Sequence, residues 1–190
     1  MSILSGMKDY IGGIMLKREV RMLNQVRKIN KFKFENVKTV GIIFDAASAE
    51  DFELVKRYAN ELRDNGKKVK VLGYFKSNGV PALTYSKLDF DFFSNKEVSL
   101  LGKPTPVFIR NFIEEEYDLL IDLNIHDHFA LRYVAAMSKA VFKVGKFEEE
   151  NDIHTHDMMI DSDHTKTIKY FLRQIDTYIM MLNNAEPSLT

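Results

Sequence analysis

Apolar and polar residues follow two different rhythms along this chain. Short apolar runs, Val37 to Asp45 (VKTVGIIFD), Lys68 to Phe75 (KVKVLGYF), Tyr117 to Leu123 (YDLLIDL) and Ala140 to Gly145 (AVFKVG), stop abruptly in small or polar residues. Between them lie stretches whose apolar residues recur three and four apart. One covers 49–64, with Phe52, Val55, Ala59 and Leu62 on one face; others cover 105–116, 128–138 and 165–183. The first rhythm predicts buried strands and the second predicts amphipathic helices. Shorter strands are predicted at 89–93 and 156–161. Ser48 with Asp51 reads as a capping arrangement, Asn65-Gly66 as a helix stop, and Pro106 as a first-turn proline. Residues 76–88 and 94–103 read as loops. Strands alternating with helices in this way argue for an α/β fold. The expected form is a three-layer sandwich around a mostly parallel, Rossmann-like sheet. One sequence does not set the strand order.

The first 36 residues have a different character. Ile11, Met15, Met22, Val26 and Ile29 recur at helical spacing and predict one apolar stripe over residues 7–33. Lys17, Arg21 and Lys28 fall on another face, flanked by Arg18, Arg27 and Lys31. Gly12-Gly13 weakens the start by about 1 kcal/mol per glycine relative to alanine, so the helix proper is expected from near Ile14. The chain thus divides into a basic N-terminal helical extension (1–36), one α/β domain (37–184) and a frayed tail (185–190).

Charge sharpens that division. The chain is neutral, with 27 basic and 27 acidic residues, yet residues 1–38 hold nine Lys and Arg against three Asp and Glu, a balance of +6. The remainder carries −6, and residues 148–163 hold seven acids with no Lys or Arg. Such asymmetry fits either an anionic partner for the basic end or a basic end resting on the acidic body. The absence of cysteine excludes disulfides, thiolate nucleophiles and zinc–cysteine sites. No signal-peptide pattern and no apolar run long enough to span a bilayer is apparent, so a cytoplasmic protein is expected.

Asp45 and Asp122 close two of the predicted strands, and Asn124 follows the second. In a parallel sheet both carboxylates reach the same edge, where α/β folds gather ligands. There they could hold a cation or a ribose, act as acid and base, or cap the following turns. Asp127, as N-cap, and Ser48 complete the ligand-binding candidates. His126 with His128, and His154 with His156, stand two apart near carboxylates and are candidate metal ligands. No glycine-rich phosphate cradle follows the first strand, Ser48 has no evident histidine base nearby in sequence, and no cofactor is expected. Lys17, Arg18, Arg21, Arg27, Lys28 and Lys31 are the candidates for an anionic partner. Phe32 and Phe34 could stack on bases or pack under the sheet edge.

The segments GIIFDAASAEDFELVKRYANEL, KVKVLGYF, FDFFS, NFIEEEYDLLIDLN and ALRYVAAMSKAVFKVGKF together resemble a family of small uncharacterised bacterial proteins, a likeness running over nearly the whole chain beyond residue 36. That resemblance implies no assigned activity. Tyr117 to Gly145 is also similar to the N-terminal domain of heptosyltransferase-type glycosyltransferases, which implies a Rossmann-like fold. Two functions follow as expectations. One is a non-enzymatic binding or adaptor protein that docks through its basic N-terminal helix onto RNA, a ribonucleoprotein or a protein partner. The other is a small enzyme or ligand sensor with a carboxylate-rich site at the C-terminal edge of the sheet. Peripheral membrane contact is not expected, because Met15 and Met22 would more simply bury against the body or a second copy.

Overall fold

The structure is a computed structural model and describes residues 3–24, 32–46, 48–76, 90–126, 128–147, 155–161 and 167–184. The strand β1 (Thr39–Asp45) is the hub of the sheet. It pairs in parallel with β2 (Lys68–Phe75) on one side and β4 (Leu119–Leu123) on the other. Outside these lie β3 (Phe90–Ser94), β5 (Phe142–Lys146) and β6 (Met158–Ile160), again parallel, giving the order β3-β2-β1-β4-β5-β6. The chain therefore moves outward from β1 to β3, then returns to the other side of β1. The direction of winding changes between β1 and β4, which is where doubly wound sheets open a crevice at their carboxyl edge.

Alternate residues of β1 bury on opposite faces. Val40, Ile42 and Phe44 pack with Val55 and Ala59 of α2 (Ala49–Asp64) and with Phe171 and Ile175 of α5 (Ile168–Asn184). Ile43 packs with Leu72, Leu120, Ile109 and Phe112 of α3 (Val107–Glu114), and Leu131 and Val134 of α4 (Phe129–Met137). Each fully buried side chain of this size contributes about 1.5–3 kcal/mol, which is why both faces of the central strands read as continuous apolar runs. The three-layer α/β sandwich is the one that the hydrophobic rhythm predicts, and its sheet is parallel throughout. Among the described residues no helix is long and apolar enough to cross a membrane.

The N-terminal helix departs from expectation in two ways. The helix α1 (Ile3–Asn24) begins before Gly12 and runs through both glycines. It docks on α4 through Leu16 and Val20, which meet Tyr133 and Ala136, while Glu19 accepts a hydrogen bond from Tyr133 Oη at 2.7 Å. Ile11, Met15 and Met22, the expected inward stripe, are instead exposed. Gly12 explains the inversion. A Cβ there would stand 2.7 Å from the Leu101 carbonyl oxygen and 3.1 Å from the Phe129 ring, so a glycine on this side lets the helix approach closely. Val26, Arg27, Lys28, Ile29 and Lys31 lie outside the described residues. Phe32 stacks on Phe142 with ring centroids 4.0 Å apart, and Phe34 packs on the core beneath the Lys67 ammonium. The body thus already occupies both aromatic faces that the sequence left open for bases.

Candidate functional site

Strand register brings the polar groups together. Asp45 lies opposite Tyr74 and Ile43 opposite Asp122. Paired residues of a parallel ladder share a face, and residues two apart on one strand share it too. Asp45, Tyr74 and Asp122 therefore all point to the α3/α4 face, near the carboxyl edge of the sheet. Asp45, Asp122 and Asn124 are nevertheless buried, at 6%, 5% and 5% exposure. Buried carboxylates call for partners.

Those partners are histidines. His128 Nε2 lies 2.8 Å from Asp45 Oδ2, and His156 Nε2 lies 3.0 Å from Asp122 Oδ2. Asn124 joins the two pairs. Its backbone N–H donates to Asp122 Oδ1 at 2.9 Å. Its amide accepts from His128 N at 2.8 Å and donates to the His128 carbonyl at 3.0 Å. One side chain thus fixes the backbone at both ends of residue 128, just where α4 begins. A continuous polar chain runs His156–Asp122–Asn124–His128–Asp45, joining the segment before β6, the ends of β4 and β1, and the start of α4.

The two imidazoles differ in what is left over. His156 Nδ1 meets Thr155 Oγ1 at 3.0 Å, so both ring nitrogens are engaged. The ring also lies flat against Gly145, where a Cβ would stand 2.5 Å from Nε2. His128 Nδ1 makes no hydrogen bond among the described residues, and the ring is half-buried beside Tyr74, with centroids 5.2 Å apart. Tyr74 donates its hydroxyl to Asn95 Oδ1. Burial, and then the Asp45 charge, raise the Tyr74 phenol above its usual range and keep it a donor. Asp51 belongs to the same acidic edge. Burial raises its carboxyl most, followed by Glu50 and more weakly Asp45, while the Ser48 hydrogen bond and His126 oppose the shift.

The other sequence candidates fall as follows. Ser48 is the N-cap of α2, accepting from Asp51 N at 3.3 Å. His126 is exposed, with its ring centroid 6.4 Å from that of His128. Asp127 and His154 lie outside the described residues. Of the two histidine pairs expected as ligand sets, His128 turns to Asp45 while His126 is exposed, and His156 turns to Asp122 while its expected partner lies outside the described residues. Among the described residues no three His, Asp or Glu side chains converge as a metal set. Arg18 and Arg21 are exposed on α1, and Lys17 is half-buried there. Sequence reasoning missed Tyr74, Gly145 and both His–Asp pairings. The available signal was histidines in the turns that follow β4 and β5, with no hint of the carboxylate each would choose.

Residues 8–182 match the family of unknown function DUF6913. The chain belongs to that family. No curated protein matches the chain, and no solved structure does.

Proposed function

We propose that the carboxyl edge of the sheet is an acid–base site for a small polar ligand, with His128 as its working group. The observation that supports this most is the Asp45–His128 pair. An imidazole that donates Nε2–H to a buried carboxylate presents the lone pair of Nδ1, which is the posture of a general base. Asp45 and Asn124 hold the ring and its backbone as positioning residues. His156 and Asp122 brace Asn124 from behind. Tyr74, kept protonated, supplies a neutral donor-bearing wall. A buried polar chain of this kind at the change of winding is also where α/β folds place ligands, and five such groups exceed what capping of two turns requires.

A thermal-shift screen of the full chain with phosphomonoesters, nucleotides, sugar acids and small carboxylic acids tests the reading. A ligand at a hundredfold excess over Kd stabilises by about 2.7 kcal/mol, on the order of 5–10 °C in Tm for a chain of this size. The expected hit disappears in both Asp45→Asn and His128→Gln while the unliganded Tm stays near wild type. Hits that persist unchanged in both variants, or a screen with none, would sink the proposal.

A further inference from the structure

The outward face of α1 is not built for water. Among residues 11–22 the exposed side chains are Ile11, Ile14, Met15, Arg18, Arg21 and Met22. At about 100° per residue these six fall within an arc of roughly 120°. The arc is centred opposite Leu16 and Val20, which dock on α4. It holds four large apolar residues and two arginines, with no acid and no small polar residue. Ile14 is 52% exposed and Met22 66%. Neither Arg18 nor Arg21 has a hydrogen bond or ion pair among the described residues.

We propose that this arc lies on an anionic bilayer surface, with α1 parallel to the membrane plane. The apolar side chains would enter the headgroup–acyl boundary and the two guanidinium groups would pair with lipid phosphates. Charge complementarity selects this occupant. A second copy meeting the same arc across a two-fold axis would set Arg18 and Arg21 against their own equivalents, with no acid to pair them. Nucleic acid would match the arginines but leave four aliphatic side chains without a role, and the described arc holds no aromatic on which a base could stack. The expectation against membrane contact placed Met15 and Met22 against the body or a second copy; on the body both are exposed. The proposal stands apart from the His128 site.

Flotation of the full chain with vesicles tests it. The protein is expected to rise with phosphatidylglycerol vesicles and to stay behind with pure phosphatidylcholine. The Arg18→Gln, Arg21→Gln double variant should lose about thirtyfold in partitioning, from the loss of two surface cations. The Ile14→Ser, Met22→Ser double variant should lose about tenfold or more. Both sets lie opposite Leu16 and Val20, and an unchanged Tm shows that α1 still docks. Four results would overturn the proposal: no flotation of wild type; flotation that both variants share; a dimer in solution that the variants dissociate; or RNA binding lost in the variants without any vesicle binding.

Discussion

At the amino end of β4, Asp118 Oδ2 accepts from the Lys38 and Thr39 backbone N–H groups at 2.8 and 2.9 Å and from Thr39 Oγ1 at 3.0 Å. At the carboxyl end, Asp122 accepts from one backbone N–H and turns its second oxygen to the His156 imidazole. Both aspartates come from the same short segment, YDLLIDLN, four residues apart. The first ties β4 to β1 with groups that never titrate near neutrality, at a half-exposed position that water also reaches. The second is buried, its partner is titratable, and it connects through Asn124 to a second histidine. A fold needs clasps of the first kind. A buried chain of the second kind adds desolvation that the fold does not require, and such arrangements gather at functional edges.

The largest effect that separates the two ends is expected from Asp122→Ala. It leaves the Asn124 N–H and His156 Nε2 unpaired in a buried place, so it should cost about 3 kcal/mol by urea denaturation. A loss no greater than that of Asp118→Ala would erase the contrast. Gly145→Ala comes next, at about 2 kcal/mol, because the new Cβ meets the His156 ring and must push it off Asp122. The His156 ring signals in NMR should shift while those of His128 move less; equal movement of both would show the chain to be one rigid unit.

Asp118→Asn is smaller, about 1 kcal/mol at neutral pH, and shows itself best in acid. Burial alone would raise the Asp118 carboxyl, but the hydrogen bonds from Lys38 and Thr39 outweigh it and hold the carboxyl below its ordinary value. A folded value lower than the unfolded one, about 3.9, means that the clasp contributes fully above the unfolded value and is lost as pH falls through the folded one. Stability measured from neutral pH down to about pH 3 should therefore fall less steeply in the variant than in wild type; parallel curves would show that Asp118 does not carry the acid sensitivity. The smallest stability effect belongs to His128→Gln, under about 1 kcal/mol for a half-buried ring. Its consequence is expected in ligand response rather than in Tm. A loss as large as that of Asp122→Ala would mark His128 as structural.

The elements were legible because strand and helix signals lie within a few residues of each other. Val37–Asp45 and Tyr117–Leu123 could hardly be anything but buried strands, and Ser48 caps the helix that its position announces. The side-chain partnerships were not legible. His128 reaches a carboxylate 83 residues away and His156 one 34 away. By contrast, the i, i+2 spacing of His126/His128 and His154/His156 suggested shared ligation. Helical periodicity misled at α1 for another reason. That helix carries two apolar stripes, and spacing alone does not say which one docks; a glycine's close approach to Leu101 and Phe129 does.

Local energetics written in the chain determined the alternation of strands and helices, the caps, the layered architecture, and the placing of aspartates where strands end. Strand order, the face each carboxylate shares with its neighbours, the choice of imidazole for Asp45 and for Asp122, and the burial of Leu16 rather than Met15 were decided only in the folded molecule. These depend on contacts between segments far apart in sequence. Their energies exist only once the sheet has closed around β1 and set the distances.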